Sequence, residues 1–241
     1  MPDSSTPIVA SQATVRVWDL PVRLFHWLLV ATILFAFLSA EEESALSAWH
    51  IPSGWVAAVL IAFRLLWGFI GGEHARFADF LKPSQIAHHL RSLFSRKPER
   101  TIGHNALGGV AIVALLGTVG GIVWSGATIN GDGGEDLHEI LANILLGLIA
   151  LHVIAVLVTS LVTKDNLIGA FVTSNKRADR HPGVLDARSP VSLATPIAAI
   201  AIGAAAYSAT VIDPGAFRPG AHIEAGDSGG EEADTGQPGI D

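Results

Sequence analysis

The sequence predicts an all-α integral membrane protein, a four-helix transmembrane bundle followed by a fifth transmembrane helix. Three observations predict it. Half of the 241 residues are hydrophobic and 15% are charged, with a mean hydropathy of +0.46, more apolar surface than one soluble core of this size can bury. The apolar residues fall into five runs of the length that crosses a hydrocarbon core of about 30 Å as a helix. Lys and Arg concentrate in alternate loops, with Arg64 inside a run and only Arg218 beyond the fifth.

The runs lie near Leu24–Ala40, Ile51–Ile70, Asn105–Ser125, Ile140–Thr163 and Val191–Ile212. The first is slightly short, the second contains Arg64, and the fifth contains Pro196, which membrane helices tolerate when neighbouring groups satisfy the freed carbonyl. Arg16 and Arg23 precede the first run, and Arg76, Lys82, Arg91, Arg96, Lys97 and Arg100 fill the loop between the second and third. Lys164, Lys176, Arg177, Arg180 and Arg188 follow the fourth. The two remaining connections, Glu41–Trp49 and Gly126–Leu137, hold no Lys or Arg. The bias puts the N-terminus in the cytoplasm and, after a fifth crossing, the C-terminus outside.

This divides the chain into a four-helix domain over residues 1–170, a cytoplasmic linker at 171–190, the fifth helix at 191–212 and a disordered acidic tail at 213–241. Residues 84–102 fit an amphipathic helix at the cytoplasmic surface, with Ile86, Leu90, Leu93 and Phe94 on one side. Trp18-Asp19-Leu20-Pro21 ahead of the first run, with no clean small-x-small site after it, argues against a cleaved signal. The net charge of −7 says little about partners, because much of the acid lies in Glu41–Glu43 and in the tail; no nucleic acid is expected.

The chain has no cysteine, which excludes disulfides, iron–sulfur clusters and thiolate or thioether attachment of haem. Any redox centre must therefore be held by histidine or by Met1, and four of the ten histidines pass a test of depth and helical face. His26 lies inside the cytoplasmic end of the first, His50 opens the second at the outer side, and the fourth carries both His138 and His152. The separation 152 − 138 = 14 residues is nearly four turns, about 21 Å, so both rings leave one helical face. By depth, His26 meets His152 near the cytoplasm and His50 meets His138 near the outside.

Any one buried histidine is more simply a structural hydrogen-bonding group, but two depth-matched pairs point to metal ligands. Tetrahedral zinc calls for four converging ligands. Two imidazoles from opposite helices suit the axial positions of a planar macrocycle, and with both positions filled the iron is suited to electron transfer. The expected cofactors are thus two haems b per chain, with iron ligands His26, His50, His138 and His152. Gly54, four residues from His50, leaves room for a ring near the backbone.

Arg64 lies fourteen residues from His50, on the same face and level with the inner haem; it suits a haem propionate or simply snorkels. His104, at the inner start of the third span, suits a propionate, a quinone carbonyl or an interfacial position. His74, His88, His89, His181 and His222 are expected to be solvated.

The stretches RLFHW (Arg23–Trp27), WHIPSGW (Trp49–Trp55), RLLWGF (Arg64–Phe69), HARF (His74–Phe77) and HEILAN with the later LH and KDN (His138 to Asn166) resemble the bacterial cytochrome b561 family and the related b-type cytochrome subunits of nickel–iron hydrogenases. The likeness covers roughly residues 14–170. It implies a dihaem protein of the bacterial inner membrane that exchanges electrons between membrane quinone and a soluble or peripheral redox protein, with the histidine couples already deduced by depth. A homodimer is compatible with it. Whether the chain is a stand-alone respiratory carrier or the membrane subunit of a larger hydrogenase- or dehydrogenase-type oxidoreductase stays open. A different class, a haem-free transporter or anchor, would use the same histidines for zinc or packing. The segment Val191–Ile212 and the acidic tail depart from the family's basic four-span pattern.

Overall fold

The computed structural model describes residues 14–41, 43–81, 102–103, 106–128 and 132–222. Within them lie five helices long and apolar enough to cross a membrane. Four are α1 (Leu20–Leu38), α2 (His50–Ile70), α3 (Ala106–Thr128) and α4 (Asp132–Thr163). A short helix α5 (Leu167–Thr173) and the fifth long helix α6 (Ala194–Ile212) follow. Two three-residue strands, β1 (Thr14–Arg16) and β2 (Asn175–Arg177), pair antiparallel and bring the start of α1 beside the end of α5.

Local sequence explains the helix ends. The Asp19 carboxylate caps α1 by accepting from the Val22 amide at 2.9 Å, with Pro21 in the first turn, which is why α1 begins four residues before the apolar run. Asp19 also ties two helices together, its second oxygen accepting from the Trp67 indole at 3.1 Å and the Gly72 amide at 2.9 Å, at the end of α2. Helix α4 begins eight residues before its apolar run, in a stretch that includes Glu135 and Asp136, whose charge favours a helix N-terminus. It stops at Lys164, whose φ of 56° is left-handed. The Asn166 side chain then caps α5 by accepting from the Gly169 amide at 2.7 Å.

Helix α1 packs on α2, α2 on α3 and α6, and α3 on α4; these are the extensive contacts between long helices. Phe25, Phe63 and Trp67 form the aromatic core between α1 and α2, with Phe63 stacked on Trp67 at 5.5 Å. Most other faces turn outward: Leu161 is 77% exposed, and Trp124, Ile140, Ile200 and Tyr207 are likewise exposed. On a membrane helix such side chains meet lipid, and contact between helices rests on close packing, since lipid tails are as apolar as Leu. Helix α6 runs antiparallel to α2. It is moored at its far end by the Trp55 indole donating to Asp213 at 2.8 Å and by the Gly220 amide donating to the Ala48 carbonyl at 3.0 Å.

Segment 171–190 is partly regular. It carries β2 and a 3-10 turn, and its His181 is buried, its Nε2 2.8 Å from an oxygen of buried Asp165. The expectation that His181 is solvated is therefore corrected: the chain folds back after α5, so the ring lands on the carboxylate that ends α4. Lys176 is buried on the same carboxylate at 3.7 Å. His74 is half-buried, edge-on to Trp18 at 6.2 Å, another departure from the solvated reading, and His222 meets Asp213 at 3.2 Å. His88, His89, the expected helix at 84–102 except its last residue, Ile102, and residues 223–241 of the tail lie outside the described residues.

Candidate haem site

Two groups of histidines lie at opposite ends of the bundle. At the end remote from the strands, the His50 and His138 rings are 6.0 Å apart between centroids, 70° between planes. Two metal–nitrogen bonds of about 2 Å each, plus the distance from each nitrogen to its ring centre, add up to about this spacing. Each ring is held by its Nδ1. That of His50 lies 3.0 Å from the Ala36 carbonyl oxygen of α1, and that of His138 lies 3.1 Å from the Ile122 carbonyl oxygen of α3. With Nδ1–H donated to a carbonyl, the proton is fixed there and the Nε2 lone pair is available as a ligand.

Helix ends make this possible. Ala40 turns its amide to the Phe37 carbonyl at 3.3 Å, so the Ala36 carbonyl, in the last turn of α1, is open to the His50 ring. On α3 the close approach of the ring depends on Gly126, where a Cβ would stand 3.1 Å from both Nδ1 and Cε1 of His138.

At the strand end, His26 on α1 and His152 on α4 are within electrostatic range of one another. The His26 ring stands edge-on to Phe171 of α5 at 4.8 Å, and its buried Nδ1 has no hydrogen-bond partner among the described residues. Arg23, one turn earlier, reaches across and donates to the Phe171 carbonyl at 2.7 Å and to that of Val172, which fixes α5 against α1 beside the ring. Arg64 is 2% exposed on α2; its guanidinium lies over the Phe77 ring at 4.9 Å, and its Nη1 has no hydrogen-bond partner among the described residues. His104 lies outside the described residues.

These residues fit a planar macrocycle gripped from both sides. The helix that brings His138 and His152 packs extensively on α3, not on α1 or α2, which bring the opposing histidines. A Cβ added at Gly54 or Gly147 would meet no atom within 4 Å. The buried Nη1 of Arg64 is a donor suited to a carboxylate such as a propionate. Among the described residues no three His, Asp or Glu side chains converge as a bare metal ion would need.

Sequence reasoning missed the residues that orient the rings. The carbonyls of Ala36 and Ile122 leave no mark in a sequence, whereas Asp19, which caps α1 and ties it to α2, is signalled by Asp-x-Pro before an apolar run. The Asp165, Lys176 and His181 cluster was half visible, through the KDN motif.

Residues 17–174 match the model of the prokaryotic cytochrome b561 family. Among curated proteins the chain is similar to probable Ni/Fe-hydrogenase B-type cytochrome subunits. The one from Azotobacter vinelandii is 30% identical over 143 residues, 48% of this chain and 59% of that protein. The one from Bradyrhizobium diazoefficiens is 25% identical over 135 residues, 46% and 55%. That from Azotobacter chroococcum mcd 1 is 30% identical over 134 residues, 45% and 55%. The chain thus spans little more than half the length of these relatives, and no solved structure matches it. Since the family match covers 158 of 241 residues (174 − 17 + 1), across the first four long helices, three of which bear the paired histidines, this multi-pass bacterial membrane protein belongs to the prokaryotic cytochrome b561 family and is a haem b protein.

Proposed function

We propose that the chain carries electrons through the bacterial inner membrane between membrane quinone and a redox partner, on two haems b. In this reading His26 and His152 ligate the inner iron and His50 and His138 the outer one. The strand end faces the cytoplasm, as the Lys and Arg distribution favours. The observation that carries it is the outer couple, two rings 6.0 Å apart, each with Nδ1 occupied by a backbone carbonyl. Haem b, when bound, supplies a one-electron couple with no open coordination site. The chain holds the rings, excludes water with apolar helices and offers the Arg64 guanidinium to a propionate. His104 serves a propionate or a quinone carbonyl. In domain terms, residues 1–170 form the cytochrome unit, 171–190 its cytoplasmic linker, 191–212 an added span and 213–241 an acidic outer tail.

The dithionite-reduced spectrum with haem quantification tests this: two haems per chain are expected. His26→Ala or His152→Ala should remove one redox component, and His50→Ala or His138→Ala the other. Retention of both components in all four variants, or a wild-type spectrum with no α band, which a haem-free transporter would give, refutes the reading.

A second reading has an observation of its own. The curated relatives bear the name of hydrogenase cytochrome subunits, so the redox partner would be a peripheral hydrogenase-type enzyme. Co-purification of such a subunit supports it, whereas full quinol oxidation by the isolated chain or its homodimer favours the stand-alone carrier.

A further inference from the structure

The two outer histidines are held in matching ways, and each arrangement contains a buried serine that the ligand assignment does not use. Ser39 is 1% exposed and Ser125 is 0% exposed. Each lies three residues after the carbonyl that anchors a ring: 36 + 3 on α1 and 122 + 3 on α3. The Ser39 hydroxyl donates to the Phe35 carbonyl at 2.8 Å and reaches the Ala36 carbonyl at 3.2 Å, the oxygen that takes His50 Nδ1. The Ser125 hydroxyl donates to the Ile122 carbonyl at 3.0 Å, the oxygen that takes His138 Nδ1, and lies 3.4 Å from Nδ1 itself. Two helices with unrelated local sequences therefore each set a serine hydroxyl against the carbonyl oxygen that takes a histidine Nδ1, directly at Ser125 and as the longer arm of a shared contact at Ser39.

We propose that Ser39 and Ser125 are positioning residues that moderate the donor strength of the outer axial ligands and so raise the potential of the outer haem. The inference rests on the ligand reading of His50 and His138. A carbonyl that accepts from Nδ1–H pulls the proton and makes the imidazole a stronger donor to iron, which favours the oxidised state. A hydroxyl donating to the same oxygen draws on the same lone-pair density, so each bond is weaker than it would be alone. The contact of Ser125 with Nδ1 at 3.4 Å is at the limit of a hydrogen bond, so sharing of the carbonyl dominates. Among the described residues neither His26, whose Nδ1 has no partner there, nor any contact around His152 repeats the device, so it acts on one haem of the two.

The test is a redox titration of the purified holoprotein for Ser39→Ala, Ser125→Ala and the double variant. Thr118→Val is the control, since Thr118 donates to the Ala114 carbonyl on α3 at 2.9 Å, an oxygen not bonded to a histidine. With haem content unchanged, each serine variant should move the outer component to lower potential, the double variant furthest, while the inner component and the control stay at the wild-type value. The low-spin ferric EPR signal of the outer haem should shift in step, a readout that serves even where a variant folds in reduced yield. An outer potential that stays put or rises at full haem content, or an equal shift of both components, overturns the proposal and leaves the ligand reading intact. If His50→Ala and His138→Ala fail to remove the outer component, the ligand reading falls first and the serine proposal with it.

Discussion

Substituting Asp165 by Ala should loosen the whole strand end of the bundle. The carboxylate is buried at the close of α4, 2.8 Å from His181 Nε2 and 3.7 Å from Lys176 Nζ, and its removal strips a buried ammonium of that counter-charge. Burial already pushes the Lys176 ammonium below the ordinary lysine range, with Asp165 opposing that shift, so the carboxylate favours the charged form. Breaking such a pair from one side costs about 3–5 kcal/mol in a protein interior, and the lower end applies at the membrane surface, about 3 kcal/mol. For a chain of this size each kcal/mol moves Tm by about 2–4 °C, which gives a fall of about 6–12 °C. Tryptophan fluorescence melts in detergent measure it, since Trp18 and Trp67 lie in the adjoining core. Asp165→Ala with Lys176→Met should recover much of the loss, because an apolar chain of similar length replaces the buried ammonium that Asp165 faced. A fall below about 1 °C, or a double variant as unstable as the sum of the singles, refutes the reasoning.

Asp19→Ala removes an N-cap and two acceptor bonds that reach α2; about 1 kcal/mol for the cap and about 1 kcal/mol for each stranded donor give a loss near 3 kcal/mol, read in the same melts. Gly126→Ala should push the His138 ring off the Ile122 carbonyl and lower the occupancy of the outer haem by spectral quantification, whereas Gly203→Ala, where a Cβ meets nothing within 4 Å, should not. Acidification should weaken the turn after α2. Burial holds the His74 imidazole below its ordinary value of 6.5, and the Arg188 amide lowers the Glu73 carboxyl, so the unfolded chain binds more protons than the folded one as pH falls. Stability is therefore full above about pH 6.5 and declines below it; His74→Gln should flatten the first part of that decline in melts between pH 7 and 5.

The spans and the histidine pattern were legible because both depend on features a sequence displays directly: apolar run length, loop charge and helical spacing. The run boundaries misjudged α1 and α4 at their starts for one reason. Hydropathy marks where a helix enters lipid, whereas Asp19 and the stretch with Glu135 and Asp136 mark where it begins. His181 and His74 read as solvated since neither is near an apolar run; only the return of the chain through α5 and β2 buries the first, and only the packing of Trp18 shelters the second. The mooring of α6 by Trp55 and Asp213 was invisible, because it joins residues 158 positions apart through one indole N–H. Ring orientation was equally hidden, since main-chain carbonyls are identical in every residue.

The pairing of β1 with β2 joins Thr14 to Arg177, and everything that binds the histidines is strung between them. Three residues a side are too few to hold together on their own, and closing so long a loop costs entropy that grows with its length. The strands can meet only after four crossings have brought their ends to one place, so they work as a clasp on a finished bundle. A chain arrested before the fourth crossing has nothing to fasten to, and its leading segment stays loose where proteases can reach it.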